Sequence, residues 1–183
     1  MIERLRFYDK RDWFLKKRFG LFIHWGLYSI PAWHEQILWR GRMSRKDYEQ
    51  LIHKFNPALF DPDQWLELAK SVGMEYICFT AKHHDGFCMF DTKYTDYNIM
   101  NTPYGKDILR MLADACQRHN MVMGVYYSIV DWHHPNYPNQ GRHHEMFGPR
   151  EGDEPNLKEY FRYMENQVVE LCTNYGEIGQ FFW

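Results

Sequence analysis

Tyr76-Ile77-Cys78-Phe79-Thr80-Ala81-Lys82-His83-His84-Asp85-Gly86-Phe87-Cys88-Met89-Phe90 decides the architecture of the chain. An apolar, β-type run passes directly into two histidines, an aspartate and a glycine, and then turns aromatic again. A surface loop would be richer in Ser, Asn and Lys and poorer in Phe. Hydrogen-bonding side chains set among aromatics at the end of a buried strand predict the wall of a pocket.

On the N-terminal side, residues 12–17 predict a helical turn closing one end of the fold. Residues 19–26 (Phe19-Gly20-Leu21-Phe22-Ile23-His24-Trp25-Gly26) predict a first buried strand, followed by an irregular loop over 27–42. Ser44 with Asp47 three positions on starts a helix that shows Tyr48, Leu51, Ile52 and Phe55 on one face and ends near Asn56-Pro57. Asp61-Pro62-Asp63-Gln64 caps the next helix, with Trp65, Leu68, Ala69 and Val72 inward and a stop at Gly73. Residues 75–80 form the second strand.

On the C-terminal side, Asp107 opens a helix with Ile108, Met111, Leu112, Ala115 and Cys116 at helical spacing, ended by Asn120 in a left-handed conformation. Residues 121–128 are a third strand, and its loop runs over 129–154. Pro155 opens a long helix to about Tyr175, closed by Gly176, and residues 178–183 are a fourth strand.

The order β-α-β-α-β-α-β, with each strand apolar throughout, predicts a parallel sheet covered by helices. The loops after strand C-termini are long and chemically loaded, while the returns at Gly73-Met74, His119-Asn120 and Gly176-Glu177 are tight. That asymmetry belongs to a TIM barrel. A doubly wound sheet shares it, but no G-x-G-x-x-G follows the first strand and there is no P-loop. A barrel takes eight strands and ~250 residues. The expected class is therefore α/β: a (β/α)8 TIM-like barrel of which residues 1–183 are the N-terminal half, about four βα units.

A chain of 183 residues supports one core. Its 7 Trp and 13 Tyr exceed what packing asks for, and flat rings with a polar tip suit the apolar face of a pyranose. The net charge of −2, with no basic block, argues against nucleic acid and anionic membrane as partners. The first residues show no signal-peptide pattern, and no run approaches the ~18 apolar residues of a membrane span. Cys78, Cys88, Cys116 and Cys172 lack C-x-x-C spacing and read as free thiols, so a cytoplasmic protein is expected.

Polar and aromatic residues gather at five places: His24-Trp25-Gly26; Trp33-His34-Glu35; His83-His84-Asp85-Gly86; Tyr126-Tyr127-Ser128 with Asp131-Trp132-His133-His134; and Phe181-Phe182-Trp183. Three adjacent histidine pairs, His83-His84, His133-His134 and His143-His144, raise the question of a metal. Neighbours on an extended strand point to opposite faces, and there is no H-x-H, H-E-x-x-H or H-x-x-x-H, so neither metal nor cofactor is expected. His143-His144 is assigned to a solvated loop. A neutral histidine both donates and accepts, which suits a vicinal diol, and Glu35 can accept from two hydroxyls. These residues point to carbohydrate recognition.

The segments Phe19 to Trp33, Thr80-Ala81-Lys82-His83-His84-Asp85-Gly86-Phe87, Tyr94-Thr95-Asp96-Tyr97-Asn98 and Gly124-Val125-Tyr126-Tyr127-Ser128 resemble glycoside hydrolase family 29, the α-L-fucosidases, in family order from about residue 10 onward. The resemblance implies a catalytic barrel followed by a C-terminal β-sandwich, and a metal-independent, retaining, exo-acting hydrolase of fucosylated oligosaccharides or glycoconjugates. It implies that His24, Glu35, His83 and His84 bind the sugar. It also implies a tyrosine contact, Tyr127 being favoured and Tyr126 the alternative. Trp183 resembles the Trp of the family's W-x-D segment, which puts the nucleophile two positions beyond it and the general acid/base Glu further on. Relatives carry Glu-Trp where this chain has Glu35-Gln36, leaving Trp33 or Trp39 to supply that aromatic wall. Asp85 and Asp131 are expected to brace loops. An inactive, sugar-binding fragment is the alternative function.

Overall fold

The computed structural model describes residues 6–139 and 150–183; His143-His144 lies outside them. Four strands, β1 (Gly20–Ile23), β2 (Tyr76–Lys82), β3 (Val122–Tyr127) and β4 (Ile178–Phe182), form one parallel sheet in the order β1-β2-β3-β4. The helices are the turns α1 (Trp13–Lys16) and α2 (Ile37–Arg40), then α3 (Arg45–Glu49), α4 (Pro62–Ser71), α5 (Ile108–His119) and α6 (Leu157–Asn174). An unbroken strand order with crossovers of one hand stacks the connecting helices on one face of the sheet.

Local chemistry sets the boundaries. Ser44 accepts from the Asp47 amide and starts α3, which tightens into a 3-10 turn over Gln50–Lys54. Asp61 accepts from the amides of Asp63 and Gln64, with Pro62 in the first turn of α4. α5 ends at Asn120, whose φ of 52° is the expected left-handed cap. The turn α1 closes the N-terminal end of the sheet: Trp13 Nε1 donates to the Gly179 carbonyl, and its ring lies 5.4 Å from Tyr76.

Three expectations change. On α4, Leu66 and Ala69 are buried, whereas Leu68 and Val72 face solvent, because the inward stripe passes through positions 62, 66 and 69. β1 is short and only half buried, with Phe22 40% exposed, because it is a sheet edge rather than a core strand. α6 opens at Leu157 under an Asn156 cap instead of at Pro155, since the Asn156 side chain reaches the Glu159 amide.

Register separates the two faces. Phe22, Cys78, Gly124 and Gln180 are aligned across the sheet, as are Ile23, Phe79, Val125 and Phe181 one position on. Alternation sends the second row under the helices, where Phe79 and Val125 are fully buried. The first row faces away, toward the exposed rings of Phe22 and Phe182, which lie 5.3 Å apart.

Candidate functional site

The β2 extension past Thr80 builds the site. The β2–β3 register shifts between Thr80 and Lys82, so Lys82 pairs with Tyr127 instead of following Thr80 to the open face. Lys82 therefore turns under α6, and His83 emerges on the open face. The strand ends at Lys82, so the strand-alternation argument against His83 and His84 meeting does not apply to them. The pair sits in a turn with ring centroids 4.4 Å apart.

Below the turn, Lys82 and Asp131 form a salt bridge of 2.9 Å with side chains 0% and 1% exposed. Burial works against both charges, but each holds the other ionised: Asp131 keeps a lowered pKa and Lys82 one well above normal. The Lys82 ammonium also lies 4.5 Å from the Tyr127 ring centre and 3.3 Å from the Tyr160 hydroxyl. Asp131 Oδ1 accepts from the amides of His133 and His134. Asp85, also buried, accepts from Tyr48 at 2.5 Å and from the Phe87 amide. Burial raises its pKa to about 6 against the Tyr48 hydrogen bond. Gly86 holds a φ of +77°, and a Cβ there would strike Asp131 and His133. Both aspartates are thus committed to bracing the His83–His84 turn.

Thr80 fixes the neighbouring strand exit. Its Oγ1 accepts from the Trp25 amide at 2.9 Å and lies 3.4 Å from the Tyr28 hydroxyl, just where the β1–β2 ladder stops. This aims His24 across the open face, 5.5 Å from His83 and 5.7 Å from Tyr126. Tyr126 lies 5.4 Å from His83, and Tyr28 lies 5.5 Å from it. Burial, then the neighbouring His84 and His24, drive the His83 pKa well below the usual histidine value. Its Nδ1 is buried without a hydrogen-bond partner, as is Trp132 Nε1 beside His84. Burial also lowers the His24 pKa, opposed by the charge of Glu35.

The expected residues do not all converge. His24, His83 and His84 come together with Tyr126, and Glu35 is near enough for its charge to act on His24, Tyr28 and Tyr126. Tyr127 is on the other face: it is fully buried and donates to Gln167 Oε1 of α6 at 2.6 Å. The favoured tyrosine is therefore displaced by its alternative, since alternation leaves only Tyr126 on the open side. Trp183 stacks on Phe181 and lies 6.2 Å from Tyr127, on the helix side rather than beside His24. Trp33 is exposed and stacked on His34 next to Glu35, while Trp39 pairs with Arg40. Sequence reasoning passed over Tyr28 and gave Ser128 no role; Ser128 Oγ lies 2.5 Å from His84 Nδ1. Both stand in quoted segments, Ser128 directly after the two tyrosines that end β3 and Tyr28 in the 3-10 turn Leu27–Ser29 that follows β1.

A cluster of aromatic rings and largely neutral imidazoles at the carboxyl ends of adjacent parallel strands can bind a neutral polyol. The family model for Alpha-L-fucosidase matches residues 2–183. The chain belongs to the α-L-fucosidase family. It is 31% identical to tissue α-L-fucosidase of Rattus norvegicus over 142 residues, 68% of this chain and 31% of that one. It spans about a third of the length of the curated relatives it matches. Among solved structures, α-L-fucosidase isoenzyme 1 from Paenibacillus thiaminolyticus aligns with a TM-score of 0.87 at 48% identity, over 92% of this chain and 41% of that one. An α-L-fucosidase from Lactobacillus casei in complex with its α-L-fucose product aligns with a TM-score of 0.85 at 32% identity, over 95% of this chain and 60% of that one. A family 29 α-L-fucosidase from Bacteroides thetaiotaomicron, trapped as a covalent intermediate with 2-fluoro-fucosyl fluoride, aligns with a TM-score of 0.80 at 32% identity, over 94% and 40%.

Proposed function

We propose that residues 1–183 form the N-terminal, fucose-binding half of the catalytic barrel of a retaining, exo-acting α-L-fucosidase that acts on terminal α-L-fucosides of oligosaccharides or glycoconjugates. One observation carries this reading. His24, His83 and Tyr126 leave three adjacent parallel strands and meet on the face opposite the helices, at the carboxyl ends where a barrel places its site. The consecutive strand order and the exposed Phe22 and Phe182 support closure by further strands. His24, Glu35, His83, His84 and Tyr126 would hold the fucose hydroxyls. The buried, unpaired thiols Cys78, Cys88 and Cys116 support a cytoplasmic setting.

Retention requires two carboxyl groups about 5–5.5 Å apart, one attacking the anomeric carbon and one protonating the leaving oxygen. The covalent intermediate of the Bacteroides relative supports such a route. Asp85 and Asp131 are both buried and engaged, which leaves neither free to attack. On this reading the nucleophile follows Trp183 by two positions, and residues 1–183 bind fucose without turnover. Calorimetry with L-fucose and an aryl α-L-fucoside assay test it together. Saturable binding without hydrolysis is expected. No binding overturns the assignment, and hydrolysis abolished by Asp85→Asn or Asp131→Asn overturns the placement of the nucleophile.

A further inference from the structure

Residues 33–41, in the loop after β1, are set off by a left-handed residue on each side: Ala32 at a φ of 53° and Arg42 at a φ of 52°. Residues other than glycine hold that conformation only where their surroundings impose it. Here Ile37 and Leu38 are buried and pin the segment to the core, and the Ala32 amide donates to the Ser29 carbonyl at 3.2 Å just before it. The result raises Trp33 into solvent, 53% exposed, whereas Trp25, Trp39 and Trp65 are packed against the core. The Trp33 indole is not loose. It is stacked on the His34 ring, with centroids 4.2 Å apart and planes 20° from parallel. The His34 ring is held in turn: the Gln36 amide donates to its Nδ1 at 3.1 Å, with Glu35 Oε2 3.3 Å from the same nitrogen. One face of the indole is thus backed and the other is open, and its orientation is set before any ligand arrives.

Glu35 links this stacked pair to the histidine cluster, since its charge acts on His24 and Tyr126. Exposure falls from Trp33 at the outside to His83, 5% exposed, at the inside. An exo-acting hydrolase holds the terminal sugar deepest and leaves the remainder of the glycan at the mouth, where Trp33 stands. We propose that Trp33, backed by His34, is the platform for the sugar that carries the fucose, a pyranose whose apolar face lies on the indole. This rests on the exo-acting fucose reading above, and it assigns Trp33 to the aglycone rather than to a wall beside the fucose itself. The platform favours pyranosyl aglycones such as galactose or N-acetylglucosamine. A methyl aglycone offers no such face.

The test is calorimetry on the 183-residue chain, comparing methyl α-L-fucoside with a panel of α-L-fucosyl-galactose and α-L-fucosyl-N-acetylglucosamine disaccharides. At least one disaccharide is expected to bind roughly fivefold to tenfold more tightly than the methyl fucoside, the worth of one aromatic stack. Trp33→Ala is expected to abolish that ratio and leave the affinity for methyl fucoside unchanged, and Trp33→Tyr to keep part of it. The ratio is taken within one protein, so a partly unfolded variant does not imitate its loss. A wild-type chain with no disaccharide preference, or a preference that survives Trp33→Ala, overturns the platform and leaves the fucose reading standing. An equal loss of both ligands in Trp33→Ala puts the indole beside the fucose and also overturns it. No binding of any ligand by the wild-type chain overturns the fucose reading, and the platform with it.

Discussion

Replacing Lys82 by Met should be among the most damaging single changes in this chain, and its cost can be apportioned in advance. The Lys82–Asp131 pair is closed to solvent, at 0% and 1% exposure, and spans 2.9 Å. Removing the ammonium strands a buried carboxylate whose other oxygen holds the amides of His133 and His134, at 3.0 and 2.8 Å. Breaking a buried pair from one side costs about 3–5 kcal/mol. Lys82→Met with Asp131→Asn removes both charges yet keeps an acceptor for the two amides, so the double variant should lie within about 1–2 kcal/mol of wild type. Lys82→Met with Asp131→Leu strands those amides and should lose a further ~1–3 kcal/mol for each. Urea unfolding followed by tryptophan fluorescence gives all three values. The pH dependence provides a second check. Without its cation, Asp131 would hold a proton more tightly folded than unfolded, so Lys82→Met should regain stability as the pH falls from 7 to 5. A Lys82→Met cost below about 1 kcal/mol, or simple additivity in the double variant, would refute this account of the pair.

Three further outcomes follow. Tyr126→Ala should weaken L-fucose binding about tenfold, while Tyr127→Phe should leave affinity unchanged and cost about 1 kcal/mol of stability through the lost bond to Gln167; calorimetry and urea unfolding giving the reverse pattern would invert the assignment of faces. His83 is held neutral when folded, so the unfolded chain takes up its proton first as acid is added. Stability should therefore fall as the pH drops below about 6.5, and His83→Gln should flatten that limb of the urea profile. Asp85 binds its proton more tightly folded, with a pKa raised from 3.8 to about 6, so its burial destabilises progressively as the pH rises through that window. Asp85→Asn keeps an acceptor for Tyr48 and should gain stability relative to wild type between pH 4 and pH 7, by up to about 3 kcal/mol; a difference independent of pH would count against this.

Much of the fold was legible because its signals are local. Asp61-Pro62, Asn120 and the apolar run at Tyr76 each act through neighbours a few residues away, and each appears where expected. The burial of Leu66 in place of Leu68 depended on helical phase, which a difference of two residues reverses. The tyrosine assignment failed for a longer-range reason. Which of two adjacent residues faces the site is fixed by strand register and by the seat of Gln167 on α6, forty residues away. The shift between Thr80 and Lys82 was equally invisible, yet it sends a lysine under the helices and a histidine into the open. The motifs pointed to the strand ends, while the register decides which of their side chains share a face.

The consecutive strand order also gives the site a timetable. Successive strands begin at Gly20, Tyr76, Val122 and Ile178, so each pairs only with strands adjacent to it along the chain. A ribosome releasing this polypeptide from its N-terminus would let β1 meet β2 before β3 exists outside the exit tunnel. Each arrival then secures a residue delivered earlier or with it. Thr80 comes with β2 and fastens the chain beside His24, and Ser128 comes with β3 and fastens His84. The rim would mature in order of translation, and slowing synthesis between β2 and β3 would hold it with His24 set and His84 not yet joined to Ser128.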